Sequence, residues 1–279
     1  MNPVATVLVV VLLVSGMLAM GTSTSLRELA ALARRPAALA IAVLVNLVAI
    51  PAAAFALLRS LDLDPTTSLA LMVVAAAPGG GTGALLSLHV RGDRAHAVAL
   101  QVILAVTSLV SAPLWLHLYA DSGSTIKLGP LVAALLAFQW LPLGVGLALS
   151  ERRPVLATRL HPRARRFADL MLAALIVVLV ITSGADLDEN GADALVGIGV
   201  VLALTLLGGA ASLGTPAVRR ATAMTTLVRN LSLALAAVAF VDDADGAAVL
   251  VLTYGLAMYL LAVAWVGVVR REKPVTPAG

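Results

Sequence analysis

Apolar residues in this chain form long runs, separated by short breaks that are rich in charged residues, glycine and proline. Most runs approach the length of about 20 residues that a helix needs to cross the apolar core of a bilayer. The pattern therefore predicts an all-α polytopic membrane protein with nine transmembrane helices. The predicted helices cover residues 3–20, 37–58, 66–90, 95–118, 129–149, 167–184, 192–213, 217–240 and 246–269.

The composition agrees with a protein that lies mostly in lipid. Of the 279 residues, 61% are hydrophobic and 12% are charged, and the mean hydropathy is +1.02. The chain has no cysteine, which excludes disulfides and thiolate metal sites. Its four histidines lie near predicted helix ends or in loops, without the spacing of a metal site. We therefore expect no enzyme activity, no metal site and no organic cofactor.

The basic residues predict the orientation of the chain in the membrane. Most of the 19 lysines and arginines fall in alternate loops, and basic residues concentrate on the cytoplasmic side of membrane proteins. The distribution predicts an outside N-terminus, a cytoplasmic C-terminus and no nucleic-acid partner. The most basic segment, residues 150–166, is predicted to be a cytoplasmic loop. Frequent arginine and alanine indicate a GC-rich genome, and hence a bacterial cytoplasmic membrane.

Two of the predicted helices have polar or irregular centres. In the third helix Pro78, Gly79, Gly80 and Gly81 are consecutive, and proline removes a hydrogen-bond donor while glycine leaves the backbone loose. We predict that this helix breaks near the middle of the membrane, where irregular backbone is tolerated only inside protein or beside a polar cavity. A packing kink is the alternative interpretation.

The eighth helix carries Arg229 about 18 Å from either end, which is too deep for the side chain to reach the interface easily. Polar residues surround it in sequence, namely Thr225, Thr226, Asn230 and Ser232. No acidic residue lies deep in any predicted helix, so its counter-charge is expected to be carbonyl dipoles, a half-helix C-terminus or an anionic substrate. The alternative is a structural arginine that is capped by backbone carbonyls.

The two interrupted helices occupy corresponding places in the two halves of the chain. Predicted helices 1–4 and 6–9 thus form two repeats, and these are inverted because the first begins outside and the second inside. Inverted repeats with two broken crossing helices are typical of secondary transporters, whose substrate site lies at the crossing. A gated channel remains open, because broken helices also line pores.

Several motifs resemble the bile acid:sodium symporter family. They are GMLAMGTSTSLREL, NLVAIPAAAF, AAPGGGTGALLSLHVRGD and SLVSAP in the first half, and RNLSLALAAVAF in the second. The resemblance implies a core domain at approximately 37–118 and 192–269, which moves against a panel domain at approximately 3–20 and 129–184. It also implies small organic anions as substrates, and two sodium ions near the crossing.

The residues that correspond to the family's sodium ligands are largely substituted. The first ion-site region is Gly83, Ala84, Ala97, Gln101 and Thr225, and the second is Asn46, Arg229 and Asn230. A sodium ion beside an arginine is disfavoured, because like charges repel strongly in a medium of low dielectric constant. We therefore predict that the guanidinium takes the place of a coupling cation and bonds to carbonyls of the broken helix, or to Gln101 or Asn46.

The expected function is transport of a small organic anion by alternating access. The predicted substrate-binding residues are Asn46, Gly80, Gly81, Thr82, Gln101, Arg229 and Asn230. The rival hypothesis is a sodium-coupled symporter with rebuilt ion sites that draw on Asn46, Gln101, Thr225 and Thr226. The sequence leaves the substrate, the direction of flux and the oligomeric state open.

Overall fold

The computed structural model describes residues 3–27, 30, 36–120, 127–183, 191–241 and 246–271, and this part of the chain is all-helical, as predicted. Predicted loops at 121–126, 184–190 and 242–245, and the tail after residue 271, lie outside the described residues. The helices are α1 (Pro3–Thr22), α2 (Pro36–Ser60), α3 (Pro65–Ala75), α4 (Gly83–His89), α5 (Arg94–Ala120), α6 (Leu128–Leu135, Leu136–Trp140 and Leu141–Arg152 in series), α7 (Pro154–Ser183), α8 (Gly191–Ala210), α9 (Pro216–Leu227), α10 (Leu231–Val238) and α11 (Ala247–Arg271).

Six helical stretches of the described residues are long and apolar enough to cross a membrane. They are Pro36–Ser60, Arg94–Tyr119, Gly129–Arg152, Gly191–Ala210, Pro216–Val238 and Ala247–Arg271. The apolar stretches Thr6–Thr22 and Pro65–Ala75 are shorter. The chain is thus a multi-pass membrane protein, while the count of nine crossings and the inverted repeat stay predictions.

The basic segment at residues 150–166 is helical apart from Arg153, so its prediction as a loop was wrong. Helix α6 continues to Arg152, and α7 begins at Pro154, well before the predicted start at residue 167. Leucine, alanine and arginine are good helix formers, and proline is favoured in the first turn of a helix. The charged residues therefore lengthen the helix beyond its apolar part instead of ending it.

Two helices contain a widened π-helical turn immediately before a proline. In α2 the turn Val45–Ala49 precedes Pro51, and in α6 the turn Leu136–Trp140 precedes Pro142. Proline cannot donate a backbone hydrogen bond, and the chain adjusts by a local i to i−5 pattern. Each turn holds a buried amide side chain, Asn46 in the first and Gln139 in the second.

The helices pack in two groups. Helix α1 packs chiefly against α6 and α7, whereas α3, α4 and α9 pack mainly against one another and against α2, α5, α8 and α11. Helix α10 packs chiefly against α1, α11 and α3, and α11 contacts α7. The fold therefore places both helix breaks inside protein, against the side of the α1, α6 and α7 group.

Candidate functional site

The two broken helices cross at their breaks and hydrogen-bond to each other through the backbone. The first break lies between Ala75 and Gly83, and the second between Leu227 and Leu231. The Gly80 N–H donates to the Val228 carbonyl at 3.2 Å, and the Asn230 N–H donates to the Ala77 carbonyl at 2.8 Å. Each break thus satisfies polar groups of the other at a depth where water is scarce.

Glycine is required at two positions of the first break. Gly79 has a φ of +82°, a conformation that other L-residues adopt at a cost. A Cβ on Gly80 would overlap the Arg229 carbonyl group and lie 2.9 Å from the Val228 carbonyl oxygen. The close approach of the two breaks therefore depends on the absence of a side chain at Gly80.

Arg229 lies in the second break and is almost fully buried, with 1% of its surface exposed. Its Nη1 donates to Asn46 Oδ1 at 3.2 Å, whereas its Nε and Nη2 have no hydrogen-bond partner among the described residues. Within the same part of the chain it forms no salt bridge. Among the described residues the guanidinium thus has one neutral hydrogen-bond partner, and two of its three nitrogen atoms have no acceptor.

The Asn46 side chain is held by two further hydrogen bonds. Its Nδ2 donates to the Ala42 carbonyl and to Thr226 Oγ1, each at 2.9 Å. The Tyr254 hydroxyl lies beside the guanidinium and beside Thr205, without hydrogen-bond geometry to either. This polar cluster lies behind Arg229 and fixes Asn46 with its oxygen towards the guanidinium.

Asn230 contributes a second unused donor next to Arg229. Its Oδ1 accepts from the Leu233 N–H at 3.0 Å and so caps the N-terminus of α10. The Nδ2 atom is buried and has no partner among the described residues. Three N–H-bearing atoms, on two consecutive residues, are therefore buried and available to an acceptor.

A cavity of about 180 Å³ reaches these two residues from one end of the molecule. The predicted substrate-binding residues on its surface are Gly80, Gly81, Thr82, Gln101, Arg229 and Asn230. Asn46, which we also predicted to contact substrate, is outside this lining and lies behind Arg229. Its observed contact is with the guanidinium, from which its Oδ1 accepts a hydrogen bond.

The first ion-site region is filled by apolar contacts. Ala84, Ala97 and Ala221 form a small buried cluster, and the Thr225 hydroxyl donates to the Ala221 carbonyl of its own helix at 2.7 Å. The Gln101 side chain accepts from the Ala84 N–H at 2.8 Å, in place of a contact with Arg229. These residues provide few oxygen ligands for sodium, which is bound through oxygen atoms.

The predicted partners of the guanidinium are therefore only partly observed. Asn46 is a partner, while Gln101 is used at the start of α4, and no carbonyl of the broken helix accepts from Arg229 within the described residues. Thr226 serves as a partner of Asn46. The sequence analysis named Asn46, Gln101 and Arg229 together but did not give the hydrogen bonds that they form.

Several residues that line the cavity were not predicted from the sequence to belong to the site. The Tyr259 and Thr82 hydroxyls are hydrogen-bonded at 2.7 Å, which joins α11 to the first break. His161, whose Nδ1 lies 2.9 Å from the Ala19 carbonyl, was expected in a loop but lies in α7. The other polar lining residues are Ser23, Thr24, Arg94, Arg165, Asp169 and Ser232. Of these residues, Ser232 had already been noted in the polar centre of the eighth predicted helix, and Tyr259 could have been noticed as a tyrosine within an apolar run.

Apolar helices of membrane-crossing length, together with a cavity at the crossing of two broken helices, define a multi-pass helical membrane protein with an internal ligand-sized site. A family model described as the Sodium Bile acid symporter family matches residues 10–189. The chain belongs to this family of membrane transporters, which confirms the resemblance found in its motifs.

Among curated proteins the chain is similar to "Sodium/bile acid cotransporter 4" of Rattus norvegicus and of Homo sapiens. Each is 29% identical over 135 residues, which is 47% of this chain and 31% of the relative. The same-named protein of Mus musculus matches to the same extent. The matched segment thus spans about a third of the length of these relatives.

Proposed function

We propose that the protein is a secondary carrier of small organic anions that works by alternating access, with Arg229 in the place of a coupling sodium ion. The observation that carries the proposal is the buried guanidinium with two unused donors at the end of a cavity. Burying an arginine at the centre of a membrane costs from about 2.5 to above 10 kcal/mol. A bound anion would offset this cost.

The geometry of the donors suits a carboxylate or a sulfonate. Nε and Nη2 lie on one edge of the planar guanidinium, the arrangement that binds two oxygens of an acidic group at once. The Asn230 Nδ2 lies next in sequence and lines the same cavity. Lysine has no such edge, so it is the informative replacement at this position.

The cavity also supports a working cycle. Its outer part is lined by Arg94, Arg165 and His161, which belong to the end of the molecule that the basic residues predict to be cytoplasmic. With this predicted orientation the cavity opens towards the cytoplasm. Movement of the α1, α6 and α7 group against the remaining helices would close this side and open the other, as alternating access requires.

Sodium independence follows from what fills the two ion-site regions. In the first, three alanines pack together, and the Thr225 hydroxyl bonds to its own helix. In the second, the guanidinium itself is a cation, and a sodium ion beside it would be repelled. The rival, a sodium-coupled symporter, would need ligands from Asn46 and Thr226, which already bond to each other.

The test is uptake of a panel of organic anions by the purified protein in liposomes, with sodium exchanged for potassium. Wild type should transport equally well in both salts. Arg229→Gln should lower uptake about tenfold or more, because hydrogen bonds to charged groups contribute about 1.5–3 kcal/mol. Arg229→Lys keeps the charge but loses the bidentate edge, and should give an intermediate loss.

Each remaining outcome points to an alternative. A wild type that requires sodium would overturn the proposed role of Arg229 and favour the sodium-coupled symporter. Uptake that does not saturate and shows no exchange of internal for external anion would favour a channel. The unfolding temperature of each variant, measured in parallel, shows that a loss of uptake is not a loss of fold.

A further inference from the structure

The cavity has positive charge at both of its ends and an apolar wall between them. Arg229 and Asn230 form the deep end, whereas Arg94 on α5 and Arg165 on α7 line the outer end. Between them the surface is made largely of aliphatic side chains, which are Leu12, Met17, Leu85, Leu88 and Leu172. A substrate with one acidic group would use only one of these ends.

The outer end keeps a net positive charge despite a nearby acid. Asp169 also lines the cavity, and its carboxylate lies 3.8 Å from Arg165 Nε, but it is 60% exposed to solvent. Exposed pairs of this kind are weak, so the carboxylate neutralises its partner only in part. His161 has its Nδ1 turned to the Ala19 carbonyl, so that nitrogen must carry the hydrogen and donate it.

Arg94 and the helix crossing lie at different levels along α5. Arg94 precedes Gln101 by seven positions in α5, which corresponds to about 10 Å along the helix axis. Gln101 marks the level of the crossing, because its side chain accepts from the Ala84 N–H at the start of α4. A molecule that reaches both ends must therefore be elongated.

We propose that the substrate is an elongated dianion with an apolar body, one acidic group bound by Arg229 and Asn230 and the other by Arg94 and Arg165. The inference rests on the proposed function, since it names the class of anion that the same site takes. It explains why Arg94, at the start of α5, and Arg165, in the basic first part of α7, line a cavity here, although basic residues beside membrane helices usually serve as topology anchors.

The experiment compares suberate with its monomethyl ester, which has the same body but a single acid. Binding to the purified full-length chain is measured by titration calorimetry in detergent, with empty micelles as the blank. Wild type should bind suberate about tenfold or more tightly than the ester, since the second charged hydrogen-bonding group is used only by the dianion. Glutarate, a dianion too short to reach both ends, should bind no better than the ester.

Two sets of variants complete the test. The double variant Arg94→Gln, Arg165→Gln should reduce the preference for suberate to nearly equal binding. The matched control is Arg166→Gln, which removes an exposed arginine of α7 that is outside the cavity lining and should keep the preference. An equal loss in the control would mean that general surface charge, not the outer end of the cavity, attracts the dianion.

The outcomes separate the inference from the function on which it rests. If wild type binds suberate and its ester equally, the second acidic group is unused and the inference is overturned, while the proposed anion site stands. If wild type binds neither these compounds nor any other organic anion, the proposed function itself fails. Unfolding temperatures of the variants distinguish a lost contact from a lost fold.

Discussion

The first and second ion-site regions, which the family resemblance defines, differ in the contacts that their residues make. In the first, Ala84, Ala97 and the neighbouring Ala221 pack as a neutral apolar cluster. In the second, Arg229 is buried, and among the described residues its guanidinium has one hydrogen-bond partner, the neutral Asn46. The first cluster contains no charged side chain, whereas the second region holds a buried positive charge that forms no salt bridge among the described residues.

This difference predicts in which of the two regions a change of charge should affect transport. An apolar cluster contributes packing energy and tolerates only side chains of the right volume. A buried guanidinium with free donors is costly until an anion arrives, so its surroundings control affinity. Changes in the first region should therefore alter stability, and changes in the second should alter anion binding.

The largest effect is expected from Asn46→Asp in the second region. The new carboxylate would replace the amide oxygen that accepts from Arg229 Nη1 and would neutralise the guanidinium from behind. Opposite charges about 4 Å apart attract by several kcal/mol even at an effective dielectric constant of about 20. Anion affinity should fall tenfold or more, as measured by titration calorimetry, while the protein stays folded.

The control for this variant is Asn46→Leu, which removes the amide without adding a charge. It leaves the guanidinium without its one observed partner, and should lower the unfolding free energy by about 1.5–3 kcal/mol. Anions should still bind, and should raise the unfolding temperature more than in wild type. Equal loss of binding in both variants would show that the amide, and not the charge, is needed.

A smaller effect, on stability alone, is expected from Ala97→Leu in the first region. Ala97 is fully buried against Ala84 and Ala221, so the added carbons must displace neighbours. Overpacking of this kind costs about 1–3 kcal/mol of unfolding free energy, which chemical unfolding in detergent would measure. A gain of sodium-dependent stabilisation, or a change in anion preference, would contradict the assignment of this region to packing.

The smallest effect is expected from Thr225→Val. Among the described residues the threonine hydroxyl donates to the Ala221 carbonyl one turn earlier, and a hydrogen bond of this kind within a helix adds little. Uptake should be unchanged, and the unfolding free energy should shift by less than about 1 kcal/mol. Uptake that becomes sensitive to sodium in this variant would restore Thr225 as an ion ligand.

The all-helical fold and the two interrupted helices could be predicted from local chemistry. The apolar runs located six helical stretches that are long enough to cross a membrane, and the run from Pro78 to Gly81 located the first break, because these residues weaken a helix wherever they stand. Arg229 was also conspicuous in the sequence, because a charged side chain within an apolar helix is costly and is seldom present for structural reasons alone. These signals require no knowledge of what lies opposite.

Other features depended on tertiary contacts, and so the sequence could not decide them. Whether Gln101 bonds to Arg229 or to the Ala84 N–H is a matter of a few ångströms between helices. The helical form of the segment around Arg159 also escaped prediction, because charge was taken as the end of a helix. The pairing of Thr82 with Tyr259 joins residues 177 positions apart, and no local pattern contains it.

The exchange of hydrogen bonds at the crossing has a consequence for synthesis. Asn46 and Arg229 are 183 positions apart. The Ala77 carbonyl likewise cannot accept its hydrogen bond until Asn230 has been synthesised. At about 5–20 residues per second, the ribosome needs on the order of ten seconds to deliver the second break after the first. During that interval the first half must shield its open backbone with water or with the insertion machinery. The crossing is thus completed late, and an interrupted chain that lacks Arg229 cannot form it.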